Sequence, residues 1–150
     1  MYKNFIIALV SAFIFSAGTF AQNVNNPSFE KAQCLISASA SFELIALNAL
    51  PAYKQASAPE EDELALLLID AANLHGKIAL LASSAFKNEL SDVIGNQLVR
   101  DVQKSVQLFK EGNSHISEKE KKLLIKNNVD FDDNVKRAEE QLDRYLTLLR

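Results

Sequence analysis

The chain has 150 residues, 48% of them hydrophobic, and carries 16 Lys and Arg against 19 Asp and Glu, a formal charge of −3. That length is one domain's worth, and the mild acidity leaves no electrostatic drive toward nucleic acid. A single cysteine, Cys34, excludes an intramolecular disulfide, so the fold must rest on packing.

The first stretch stands apart from the rest. Lys3 supplies a positive n-region, Phe5 to Phe15 is an apolar run broken only by Ser11, and small residues follow, with Thr19 and Ala21 at the −3 and −1 positions of a cut. This is the layout of a secretory signal peptide over residues 1–21. Cys34 lies too far on, after Lys31, Ala32 and Gln33, to be a lipoprotein cysteine. Cleavage removes one of the 16 basic residues and no acid, leaving residues 22–150 as a single domain with a formal charge of −4. No later stretch reads as long and apolar enough to cross a bilayer, so the expectation is a soluble product in the periplasm or outside the cell.

Asn26-Pro27 reads as a helix N-cap followed by proline at the first helical position. The first helix is expected from Pro27 to Ala49, ending ahead of Pro51. Within it Ser37 to Ser41 alternates Ser and Ala at period two, but these small, unbranched residues favour helix over strand. Ser57 and Glu60 then form a capping box, with Glu60, Glu61, Asp62 and Glu63 in the first turn of the next helix.

That second helix, Glu60 to Phe86, organises the domain. Leu64, Leu67, Leu68, Ala71, Leu74, Ile78, Leu81 and Ala85 recur at steps of three and four, which places them on one buried stripe. A second line, Leu66, Ile69, Ala72 and Leu80, lies off it and predicts neighbours on more than one side. Gly76 reads as internal because the stripe continues through it in phase.

No proline or glycine marks the next boundary. A helix unbroken to Lys110 would be about 75 Å long, so a turn is expected within Ser83 to Ser91. The third helix shows Leu90, Ile94, Leu98, Val102, Val106 and Phe109 on one face and stops at Gly112. A second capping box, Ser117 to Glu120, opens a short helix ending near Asn127 and Asn128. The last helix starts between Asp130 and Asp133, with Val135, Ala138, Leu142, Tyr145 and Leu149 as its stripe. The expected architecture is all-α, an antiparallel helical bundle of four main helices plus one short one.

Chemistry is sparse. Cys34, Ser37, Ser41 and Asn48 follow one helical face of the first helix, and His75 sits beside the apolar stripe of the second, with Asp70 five residues back. Cys34, Ser37, Ser41 and His75 are therefore the candidate lining of a ligand pocket between the two helices. As a nucleophile, Cys34 would need a base held against it, and only His75 and His115 are candidates. Asn128, Asp130, Asp132 and Glu139 fall at positions one, three, five and twelve of an EF-hand-like frame, a candidate calcium site, although Asp133 stands where the sharp turn requires glycine.

Lys119, Lys121, Lys122 and Lys126 mix with Glu118 and Glu120, the pattern of a solvated face. No glycine-rich phosphate loop, G-x-S-x-G, H-E-x-x-H or Cys-x-x-Cys-His is present, the mature chain has no methionine, and no cofactor is implied. The reading that remains is a non-catalytic binding module for a protein partner in the cell envelope, of inhibitor, immunity or adaptor type. A small-ligand or metal carrier is the alternative. Leu146, Leu148 and Leu149 make the C-terminal helix a candidate homo-oligomer contact.

Overall fold

The computed structural model describes residues 27–56, 60–114 and 130–149. The expected signal peptide, both capping-box serines, the short helix after Ser117, His115 and Asn128 lie outside the described residues. Those described form four helices and no strand: α1 Pro27–Gln55, α2 Glu60–Phe86, α3 Asp92–Gly112 and α4 Phe131–Thr147.

The helices close into a ring, α1 against α2, α2 against α3, α3 against α4 and α4 against α1. Every neighbour runs antiparallel. Phe29 near the start of α1 packs edge-on to Phe86 at the end of α2, with ring centroids 6.4 Å apart, while Ser39 meets His75 further along. Lys110, late in α3, pairs with Glu139 of α4, and Arg144 at the end of α4 reaches Glu30 at the start of α1. The core is continuous through all four helices. Its aromatic centre is Phe42 of α1, set edge-on to Phe109 of α3 at 5.4 Å and 87°, with Phe109 stacked on Phe131 of α4 at 5.6 Å.

The turn after α2 is marked without glycine. Asn88 takes φ 57°, the left-handed region that asparagine tolerates better than most residues. Around it the Glu89 N–H donates to the Ser84 carbonyl and the Asn88 N–H to the Ala85 carbonyl, a Schellman closure. Ser91 then caps α3, its hydroxyl accepting from the Ile94 N–H. The turn thus falls within the Ser83 to Ser91 window.

Three expectations are corrected. First, α1 runs through Pro51 to Gln55. A proline there removes the bond to the Leu47 carbonyl, a cost of about 3 kcal/mol. Ala49, Ala52 and Tyr53 are buried and hold the last turns to the core, while Leu47 and Lys54 lie on the exposed side.

Second, α3 buries Gly95, Val99, Val102, Val106 and Phe109, leaving Ile94 and Leu98 exposed. The N-terminal half of its face is rotated by one residue, about 100°. At the inward position 95 only glycine fits, because a methyl there would overlap the Tyr145 hydroxyl of α4.

Third, two helices are long and apolar enough to cross a membrane: α1, with a mean hydropathy of 1.4 in its best 18-residue window, and Asp62–Phe86 within α2, at 1.6. In α2 the apolar run is interrupted by Asp70, Asn73, His75 and Lys77, too few charged or polar residues to bring its mean hydropathy down. About half of each span is buried in the bundle, and the large apolar side chains left exposed on them are Leu44 and Leu47 of α1 and Leu66 and Leu80 of α2.

Candidate functional site

His75 is buried, and the Ser39 hydroxyl lies 2.9 Å from its Nδ1. Nδ1 also lies 3.2 Å from the Ser39 carbonyl, which can only accept, and Ser39 Oγ donates to the His75 carbonyl at 3.1 Å. All three contacts are satisfied together only when the proton is on Nδ1. Nε2 is then a bare acceptor, and it has no hydrogen-bond partner among the described residues. Ser39 was missed in the sequence because it is one of three like serines in a Ser/Ala run. Only the packing of α2 on α1 selects it.

The four residues expected to line a pocket are divided. Cys34 and Ser41 are buried, Ser37 is exposed, and the Ser41 hydroxyl folds back onto the Ser37 carbonyl at 3.3 Å. Cys34 and Ser39 are five residues apart on α1, roughly 140° round the helix, so the thiol faces away from the serine that holds His75. Burial pushes the Cys34 thiol up, Arg144 pulls it down more weakly, and Glu30 adds to the rise. A protonated, buried thiol is a poor nucleophile.

The acidic segment before α4 is used for capping. Asp130 is the N-cap, its carboxylate accepting from the Asp133 N–H at 3.0 Å, and Asp132 and Asp133 occupy the first turn. Helix begins at Phe131, position four of the calcium frame, so Asp130 and Glu139 are separated by nine helical residues, about 13 Å. Calcium needs its oxygens within about 2.3–2.6 Å. Glu139 is held instead by Lys110, with contacts of 2.9 and 3.1 Å. Among the described residues no three His, Cys, Asp or Glu side chains are placed to hold a metal ion.

A different site emerges between α2 and α3. A groove of about 260 Å³ is lined by Asp70, Asn73, Leu74 and Lys77 of α2 and by Ser105, Leu108 and Phe109 of α3. Asp70 is exposed, but the groove wall partly desolvates its carboxyl and pushes it above its usual range. Leu66 and Leu80, expected to touch neighbours, are 62% and 72% exposed, and Leu108 is 67% exposed.

On α2, Leu66, Asp70, Asn73, Lys77 and Leu80 follow one another at steps of four, three, four and three, so one face carries them all. On α3, Ile94, Leu98, Asp101, Ser105 and Leu108 follow at steps of four, three, four and three. The α2–α3 side of the bundle is therefore a polar centre framed by large apolar side chains. The heptad spacing was visible in the sequence; its exposure was not. By contrast Leu146, Leu148 and Leu149 of the C-terminal segment pack half-buried against the core.

No protein-family model, curated protein or solved structure matches this chain.

Proposed function

We propose that this protein is an exported, non-catalytic binding module whose α2–α3 side docks a protein partner of the cell envelope, as an inhibitor, immunity protein or adaptor. The observation that carries the reading is the set of exposed apolar side chains, Leu66, Leu80, Ile94, Leu98 and Leu108, on the two helix faces that carry the groove, Leu108 being part of its lining. A monomer gains nothing from leaving such side chains grouped in water. The groove favours a protein over a small molecule: about 260 Å³ falls below the roughly 300–1,000 Å³ of ligand pockets, and its lining is half polar.

Export rests on the residue 1–21 pattern, and N-terminal sequencing of the protein recovered from its source cells tests it, with Gln22 as the expected first residue. Docking is tested by capture from the envelope fraction with the wild type and with Leu98→Asp. One stoichiometric partner held by the wild type and lost by a variant of unchanged circular dichroism is the expected result. A partner held equally by both refutes the assigned surface.

A further inference from the structure

The exposed face of α2 has an internal symmetry. Reading outward from Asn73, the residues met are Asp70 on one side and Lys77 on the other, then Leu66 and Leu80. Asp70 and Lys77 are seven residues and about 10 Å apart along the helix, too far to pair with each other. Neither has an ion-pair partner among the described residues. The face thus presents an unmatched acid and an unmatched base, placed on either side of a centre, with an exposed leucine beyond each.

We propose that this face pairs two copies of the chain, α2 against α2, antiparallel about a two-fold axis at Asn73. A two-fold interface must be self-complementary, and this one is. Asn73 meets the partner's Asn73, an amide pair that both donates and accepts. Leu66 meets the partner's Leu80, and the reverse contact repeats at the other end. Asp70 is level with the partner's Lys77 to within one residue's rise along the helix axis, about 1.5 Å, and the symmetry makes the acid–base pair twice. A parallel pairing would set Asp70 on the partner's Asp70 and Lys77 on the partner's Lys77, so like charges exclude it.

The steps of four and three are those of a two-helix seam, with polar residues at its centre fixing register at some cost in strength. The inference rests on reading the α2–α3 side as a protein-docking surface and names the occupant of its α2 half. Ile94 and Leu98 of α3 stay available to the envelope partner.

The test is sedimentation velocity on the protein purified after expression of the full chain, over a concentration series, with three variants. Asp70→Lys alone and Lys77→Asp alone each bring like charges together at both symmetric contacts, and each should weaken the dimer at least ~tenfold. The double variant Asp70→Lys/Lys77→Asp exchanges the charges and should restore it to within about threefold. All positions are exposed, and unchanged thermal unfolding shows that the variants fold. Asn73→Cys should form an interchain disulfide on mild oxidation, whereas the exposed α3 control Gln97→Cys should not.

A wild type that stays monomeric to about 1 mM overturns the pairing, as does a dimer indifferent to both charge exchanges. A monomer that still captures an envelope partner, and loses it on Leu98→Asp, sinks the pairing while leaving the docking surface standing.

Discussion

Replacing His75 with leucine should leave the protein as stable as before or make it more stable, although the histidine is buried and hydrogen-bonded. Nε2 is buried without a hydrogen-bond partner among the described residues, which costs about 1–3 kcal/mol for a desolvated polar atom. The His75→Leu substitution removes that cost. It also removes the Nδ1 contact to Ser39, worth about 0.5–1.5 kcal/mol net.

Nothing new is orphaned. The Ser39 hydroxyl still donates to the backbone carbonyl of residue 75, a group every side chain leaves in place. Leucine has a similar volume, so the surrounding packing is preserved. The balance is a gain of about 0–2 kcal/mol. At a slope of about 2 kcal/mol per molar urea, the midpoint of unfolding rises by up to about 1 M.

Equilibrium urea unfolding of the wild type, His75→Leu, Ser39→Ala and the double variant tests this. Ser39→Ala should cost about 1 kcal/mol in the wild type and distinctly less beside leucine. A loss above about 2 kcal/mol for His75→Leu would refute the reasoning, because an orphaned Nε2 gives leucine the advantage only if no hydrogen bond is broken there.

Gly95→Ala should destabilise by about 1–3 kcal/mol, as overpacking does, even though alanine is the better helix former. The methyl collides with the Tyr145 hydroxyl, so Tyr145→Phe in the same chain should recover most of the loss in thermal unfolding. Phe42→Ala removes a fully buried ring that touches Phe109 and should cost about 3–5 kcal/mol, a large part of a typical total; a denaturant midpoint close to wild type would contradict the core described above. Cys34, buried with its thiol pushed up, should resist alkylation in the native state and react fully after unfolding in denaturant.

Alkaline stability follows from Tyr145. Burial pushes its phenol up and Asp92 adds to the rise, so the folded chain holds that proton more tightly than the unfolded one. The resulting stability is complete below the ordinary phenol value of about 10 and is lost as the pH climbs from there through the raised value. Melting temperatures measured across that range should fall, and Tyr145→Phe should flatten the decline.

Much of the fold was legible in the chain itself. The three-four spacing of Leu64, Leu68, Ala71, Leu74 and Ile78 defines a helical stripe whatever packs on it, and all five are buried. Val135, Ala138, Leu142 and Tyr145 of α4 are likewise buried as the periodicity requires. Helix is a local property, carried by spacing and by the want of breakers, so it survives translation from one dimension to three.

What failed was non-local. α1 passes Pro51 because buried Ala52 and Tyr53 outweigh a lost hydrogen bond, and no window around residue 51 contains the core they enter. Ile94 and Leu98 outrank Gly95 on any hydropathy scale, yet the glycine takes the inward position, where Tyr145, 50 residues later, leaves no room for a methyl. For the candidate site the division is the same. That His75 is buried near α1 follows from its stripe, but the choice of Ser39 over Ser37 or Ser41 depends on the rotation of one helix against another. The chain by itself determined which residues share a face; only the packing of four helices decided which faces meet and which, like the Leu66–Leu80 line of α2, are left to water, because burial is a property of pairs of surfaces and not of either one alone.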